Sequence, residues 1–258
     1  HSNKIKDARG IRFAVIADLH GMEFGPDNRK LLEAIHRYRP DGILIAGDMI
    51  VRNDPASLKT ALSLLSNFAQ QYPVYYALGN HEYKLYRTDS QENCMAARYQ
   101  EYEKALKTAG IHILHNESCS LQVGKTSLTV YGLEIPLIYY KKPFSPQLKR
   151  EEVRELIGEP SSDSLNILLA HSPKYGDTYF DWGADLILSG HYHGGIVRLG
   201  RHNGLLSPQL HPFPKFCCGD FHRKNQHMLV SAGAGEHTIP VRIHNPRELL
   251  MVDLKPNA

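Results

Sequence analysis

Five short clusters in this chain carry side chains that bind metals: Asp18-x-His20, Gly47-Asp48, Gly79-Asn80-His81-Glu82, His171 and Gly190-His191-x-His193. Imidazole nitrogens combined with carboxylate and carbonyl oxygens suit Mn, Fe or Zn ions. Such ions have a direct use in hydrolysis. Water ionises with a pKa near 15.7, and a bound metal brings that to about 7. Two ions roughly 3.5–4 Å apart can hold the resulting hydroxide and neutralise phosphate oxygens together. Such a pair wants a carboxylate shared between the ions. Period-two alternation would put both ligand groups of Asp18-x-His20, and both of His191-x-His193, on one side of an extended chain. Glycines beside Asp48, Asn80 and His191 allow sharp turns and close backbone approach. Singly, each residue has a plain structural alternative: Asp48 could cap a helix, and His171 could be a satisfied core histidine. Jointly, five clusters are not a coincidence.

The elements that must position these clusters are legible in the same sequence. Residues 12–17 (RFAVIA), 42–46 (GILIA), 74–78 (VYYAL), 165–170 (LNILLA) and 184–189 (ADLILS) are short apolar runs that read as buried strands. Each ends in one of the clusters. Leu31, Leu32, Ile35 and Tyr38 recur at helical spacing, as do Leu58, Leu62, Leu65 and Ala69. Asp54-Pro55 is a good helix start, with Asp as N-cap and Pro at the first position. Strand, polar loop and helix in series predict a mostly parallel sheet. Ligand sites in such sheets form outside the carboxyl ends of the strands. Residues 83–103 are polar and Tyr-rich and lead into a helix ending near Gly110. Residues 119–132 read as a hairpin turning at Gly124-Lys125. Residues 228–232 and 248–254 close the chain as strands. No repeat, low-complexity tract or interdomain linker is visible.

The five blocks, in order and in register after five strands, resemble the calcineurin-like metallophosphoesterase family. The resemblance runs from near residue 12 to past residue 193. It implies an α/β fold, a four-layer α-β-β-α sandwich of two mixed β-sheets flanked by helices, as a single domain over residues 1–258. Residues 1–10 read as a tag remnant and lead-in. It implies one divalent metal ion on Asp18, His20, Asp48 and His193, and a second on Asp48, Asn80, His171 and His191, with Asp48 bridging. His81 would be the uncoordinated catalytic histidine facing the phosphate or leaving group. Glu82 reads as a partner behind the ligands. Gly194-Gly195, Phe213-Pro214-Lys215, the run from Val230 to Gly235, and Pro240-Val241-Arg242 resemble a narrower bacterial branch, the YkuE- and YaeI-type phosphodiesterases. That branch is commonly membrane-associated or exported, and related members cleave UDP-diacylglucosamine.

The implied activity is a dinuclear phosphodiesterase or pyrophosphatase-type hydrolase. A broad phosphomonoesterase on the same metals is the alternative. A non-catalytic scaffold would be signalled by a lost ligand, and none of the seven ligand positions is lost. The composition is ordinary for a soluble globular protein, and the net charge of +3 comes with no basic run, so nothing indicates a nucleic acid partner. Cys94, Cys119, Cys217 and Cys218 form no C-x-x-C pair, which disfavours a cysteine zinc site. No apolar stretch reaches the length of a membrane span.

Two loops carry a further expectation. Residues 135–144 (IPLIYYKKPF) read either as a loop folded over the core or as a lid, with Lys141 and Lys142 toward anionic headgroups. Phe213, Phe216 and Phe221 cluster after the last histidine pair. Together they would form an apolar, weakly basic rim suited to a lipid-linked or cell-envelope phosphate, in a protein whose full-length form carries an anchor or export signal. Tyr83, Tyr86, Tyr99 and Tyr102 could line a pocket, although Tyr99 and Tyr102 sit at helical spacing and read equally as packing. Of the histidines outside the blocks, including His115, most read as surface residues; His211 and His222 are candidates for the site rim.

Overall fold

Apolar runs become strands here because both of their faces can be buried. The computed structural model describes residues 2–91, 93–141, 144–200, 203–205, 213–236 and 241–257. In chain order the elements are β1 (Ile11–Ile16), α1 (Arg29–Tyr38), β2 (Gly42–Ala46), α2 (Pro55–Ala69), β3 (Val74–Ala77), α3 (Asn80–Tyr86), α4 (Cys94–Thr108), β4 (His112–Ile113), β5 (Ser118–Val123) and β6 (Thr126–Leu133). Then follow α5 (Arg150–Ile157), β7 (Leu165–Ala170), α6 (Gly176–Trp182), β8 (Leu186–Ser189), β9 (Arg198–Leu199), β10 (Asn203–Gly204), β11 (Gly219–Arg223), β12 (Gln226–Val230) and β13 (Leu250–Leu254). The order β13-β1-β2-β3-β4 makes one large sheet and β11-β12-β8-β7-β6-β5 the other, while β9 and β10 pair separately as a small antiparallel ladder. β1 to β4 are parallel to one another, as are β6, β7, β8 and β12, with antiparallel strands at the edges.

Alternation along the strands builds three cores. Phe13, Val15, Leu44, Ala46, Tyr75 and Ala77 of the first sheet meet Leu128, Val130, Ile167, Leu169, Leu186 and Leu188 of the second. Their neighbours on the opposite face, Ala14, Ile16, Ile43, Ile45 and Tyr76, pack under α1, α2 and α4. Tyr131, Leu168 and Ile187 pack with residues of α5 and α6, including Val153, Tyr179 and Trp182. The four layers are therefore helix, sheet, sheet, helix, as the sequence predicts.

The Asp54 carboxylate accepts from the Ala56 N–H at 3.0 Å and caps α2 behind Pro55. The hairpin at Gly124-Lys125 forms, joining β5 to β6. Tyr99 and Tyr102 are buried in the core under α1, α2 and α4, so packing is their role. Seven elements escape the sequence reading: α3, which begins inside the Asn80 cluster, the two-residue β4, the helices α5 and α6, the two-residue β9 and β10, and the polar edge strand β11.

Candidate metal centre

All five clusters lie at the carboxyl ends of parallel strands. Asp18 and His20 follow β1, Asp48 follows β2, Asn80 and His81 open α3 after β3, His171 follows β7, and His191 and His193 follow β8. The first three strands belong to one sheet and the last two to the other. The site is thus built across the edge where the sheets meet.

The side chains converge there. Ligand atoms lie within 4.8 Å of one another in three groups: Asp18, His20 and His193; His20, Asp48 and His81; Asp48, His171 and His191. His193 Nε2 stands 3.4 Å from Asp18 Oδ1 and 3.1 Å from His20 Nε2. His171 Nε2 stands 3.0 Å from Asp48 Oδ2, and His20 Nε2 stands 4.0 Å from that same oxygen. Asp48 is common to two of the groups and faces histidines from both sheets.

The backbone is bent to achieve this. Asp18, His20, Asp48, His191 and His193 all have positive φ, between 48° and 68°. A non-glycine residue is costly there, and such residues cluster at functional sites. This corrects the expectation of extended pairs. Left-handed turns, and not strand alternation, aim these side chains, and His191 and His193 diverge into different groups. Gly79 makes the approach possible, because a Cβ on it would overlap the Asp48 carboxylate.

Hydrogen bonds set opposite roles for two histidines. His171 Nδ1 donates to the Ala46 carbonyl at 2.7 Å, which leaves the Nε2 lone pair facing the Asp48 carboxylate. At 3.0 Å these two groups need a proton or a metal ion between them. His81 is the reverse case. Its Nδ1 accepts from the Arg52 N–H at 3.0 Å, so the neutral ring carries its proton on Nε2 and offers the site a donor. Buried Asn80 Oδ1 and His171 Nε2 make no hydrogen bond, which further fits this donor set to metal ions.

The electrostatics are those of buried carboxylates short of positive charge. Burial pushes Asp18 up to about 7, against the pull of His171. Burial acts on Asp48 in the same direction, but His171, His81 and His20 hold it well below the ordinary carboxylate range. Burial would lower His171, yet the two aspartates raise it to about 10.

A family model described as calcineurin-like phosphoesterase matches residues 11–195, which contain every one of these groups. The chain belongs to the calcineurin-like phosphoesterase family. Phosphodiesterase YaeI of Escherichia coli is 25% identical over 75% of this chain and 64% of its own. The UDP-2,3-diacylglucosamine pyrophosphatase LpxG of Chlamydia muridarum is 21% identical over 83% of this chain and 69% of its own. A solved structure of the phosphopantetheinyl hydrolase PptH from Mycobacterium tuberculosis shares the fold with a TM-score of 0.50 and 13% identity, covering 87% of this chain and 89% of that one. The chain spans about half the length of the first curated relatives it matches, 48% of one from Caenorhabditis elegans and 60% of one from Campylobacter jejuni.

Within this family site, Glu82 sits behind the ligand residues as the sequence reads it, and two further residues stand out that the sequence left without a defined place. Buried Glu82 accepts from the backbone N–H groups of Asp48, Met49, Ile50 and Gly79 at 2.6–3.3 Å, and from Tyr76 Oη at 2.7 Å. Arg242 reaches the carbonyls of Ala232 and Gly235 and stands 3.4 Å from His193 Nδ1. Tyr140 meets the His191 ring edge-on, with centroids 5.2 Å apart. Only the apolar run 135–144 pointed toward the last of these.

Other expectations about the rim need correction. Phe216 is buried in the core beneath the second sheet, where Phe180 and Phe221 contact it, and is not the exposed apolar side chain a lipid-facing rim calls for. His222 pairs with His227, whose own partner Leu186 opens β8, and so lies at the strand end away from the candidate metal ligands. His115 is not a plain surface residue, being held between Glu103 and Glu134. Lys142, His202, His211, His237 and Pro240 lie outside the described residues.

Proposed function

We propose that the chain is a dinuclear metal-dependent phosphoesterase acting on phosphodiesters or pyrophosphates. The observation that carries this reading is the Asp48 carboxylate, which faces His171 from one sheet and His20 from the other. Asp18, His20, Asp48 and His193 would hold one divalent ion, and Asp48, Asn80, His171 and His191 the other, as Mn, Fe or Zn. Bound there, the pair would make hydroxide available at neutral pH and neutralise phosphate oxygens. His81, with its proton on Nε2, donates to the phosphate or the leaving oxygen and does not coordinate. Glu82 holds the Asp48 and Gly79 turns together, so the ligands are oriented before substrate arrives.

The names of YaeI and LpxG, a phosphodiesterase and a pyrophosphatase, favour a diester over a monoester. Assays of the Mn-loaded chain on bis-p-nitrophenyl phosphate and p-nitrophenyl phosphate test this. Faster turnover of the diester is expected; a clear monoester preference would replace this reading with a phosphomonoesterase.

The substrate class in this reading is lipid-linked or cell-envelope phosphate. Supporting it are the exposed apolar side chains of the two loops, with Phe144 87%, Phe213 66% and Ile138 47% accessible. LpxG, named for an acylated nucleotide sugar, points the same way. The full-length protein would then be membrane-associated or exported; no helix among the described residues is long and apolar enough to cross a membrane. Cell fractionation of the full-length protein tests location. Turnover of lipid-linked against soluble diesters, before and after Phe144→Ser and Phe213→Ser, tests the substrate. A preference for soluble nucleotides that these changes leave untouched would refute the lipid rim alone.

A further inference from the structure

Tyr140 closes a short 3₁₀ turn, Leu137–Tyr140, in the segment that leaves the carboxyl end of β6. Apolar burial and hydrogen bonds pin that turn from both sides. Tyr139 is buried, its ring meets Tyr175 edge-on at 5.5 Å, and its hydroxyl bonds the Glu152 carboxylate. Tyr175, four residues beyond His171, donates its own hydroxyl to the Tyr139 carbonyl at 2.7 Å. The turn is therefore fixed to the loop that carries a metal ligand. Tyr140, the next residue, is half-buried with its ring against His191, and its hydroxyl makes no hydrogen bond among the described residues.

No protein group among the described residues takes the hydroxyl of this half-buried tyrosine, which leaves it open to solvent or to a ligand. A phenol held on a rigid base beside a phosphate site, with its donor free, is arranged to meet a ligand. We infer that the Tyr140 hydroxyl donates a hydrogen bond to a phosphoryl oxygen of the bound substrate, on the side of the centre formed by Asp48, Asn80, His171 and His191. This assignment rests on the phosphoesterase reading. A phenol supplies a neutral donor at neutral pH, so it adds orientation and stabilises developing charge without competing for metal.

The test uses the Mn-loaded chain, Tyr140→Phe and Tyr140→Ala. Inorganic phosphate binding is measured by calorimetry, hydrolysis of bis-p-nitrophenyl phosphate by kcat/KM, and metal content by elemental analysis. Tyr140→Phe keeps the ring on His191 and removes only the donor. It is expected to weaken phosphate binding and lower kcat/KM by about 10- to 100-fold, the range for a hydrogen bond to a charged group, at unchanged metal content. Phosphate binding within twofold of the parent in Tyr140→Phe, with loss only in Tyr140→Ala, would reduce Tyr140 to a packing residue and overturn the inference. A parent chain that binds phosphate but hydrolyses no ester would defeat the proposed function, while the phosphate comparison would still decide Tyr140. A loaded parent that binds no phosphate would overturn both.

Discussion

At the residue scale, the hydrogen bond on the outer ring nitrogen separates the histidine proposed as a ligand from the one proposed to react. His171 gives its Nδ1 proton to a carbonyl and turns a lone pair inward; His81 takes a backbone proton on Nδ1 and turns an N–H inward. Replacing His81 with Ala should therefore cut turnover by about 10²–10⁴-fold while metal content stays nearly intact. Kinetics beside elemental analysis check this, and metal loss without a folding defect would show that His81 is a ligand. The seven residues proposed as ligands were picked out by residue type and spacing. The left-handed backbone at five of them was not, because φ is imposed by packing of the loops and leaves no mark in residue type beyond the neighbouring glycines.

Elements meet at the site through Glu82, whose side chain ties the turn after β2 to the start of α3. Glu82→Gln keeps the shape but puts an amide NH2 where N–H groups need an acceptor. Each buried donor left unpaired costs about 1–3 kcal/mol. A lower urea midpoint and weaker metal binding are expected together; an unchanged midpoint would mean the clamp contributes little. A second tie joins α4 to the end of β6. Burial lowers the His115 pKa, but the flanking carboxylates of Glu103 and Glu134 outweigh it and hold His115 up to about 9. A pKa raised on folding stabilises fully below the ordinary histidine range and is lost as pH climbs through about 9. The urea midpoint of the chelated protein should thus exceed that of His115→Gln by more at pH 6 than at pH 10. A gap that is constant across that range would contradict the charge-based tie. Residue spacing carries no hint of this pairing, since its three members are scattered and joined only by the fold. β4 and β11 escaped for a simpler reason: one is two residues long, and the other is a polar edge strand without an apolar run. The central strands were readable because burial on both faces demands continuous apolar sequence.

At the scale of the whole molecule, the centre is a seam between two sheets. Asp18, His20, Asp48 and Asn80 come from the first, and His171, His191 and His193 from the second. β13 completes the first sheet beside β1, and β12 continues the second beside β8, so residues beyond the family match finish both walls. Ions bound at the seam would cross-link the sheets and relieve the crowding of buried carboxylates. Saturation at about 100 times the dissociation constant stabilises by about 2.7 kcal/mol per site, so Mn should raise the melting temperature and a chelator lower it. A melting temperature indifferent to both would place no ion at the seam. The most direct test of the account counts metal in the Mn-loaded, desalted chain and in Asp48→Asn, alongside diester hydrolysis before and after chelation. The account predicts about two ions per chain, loss from both positions when Asp48 loses its charge, and no hydrolysis once metal is stripped. A single ion unaffected by Asp48→Asn, or full hydrolysis after exhaustive chelation, would contradict it.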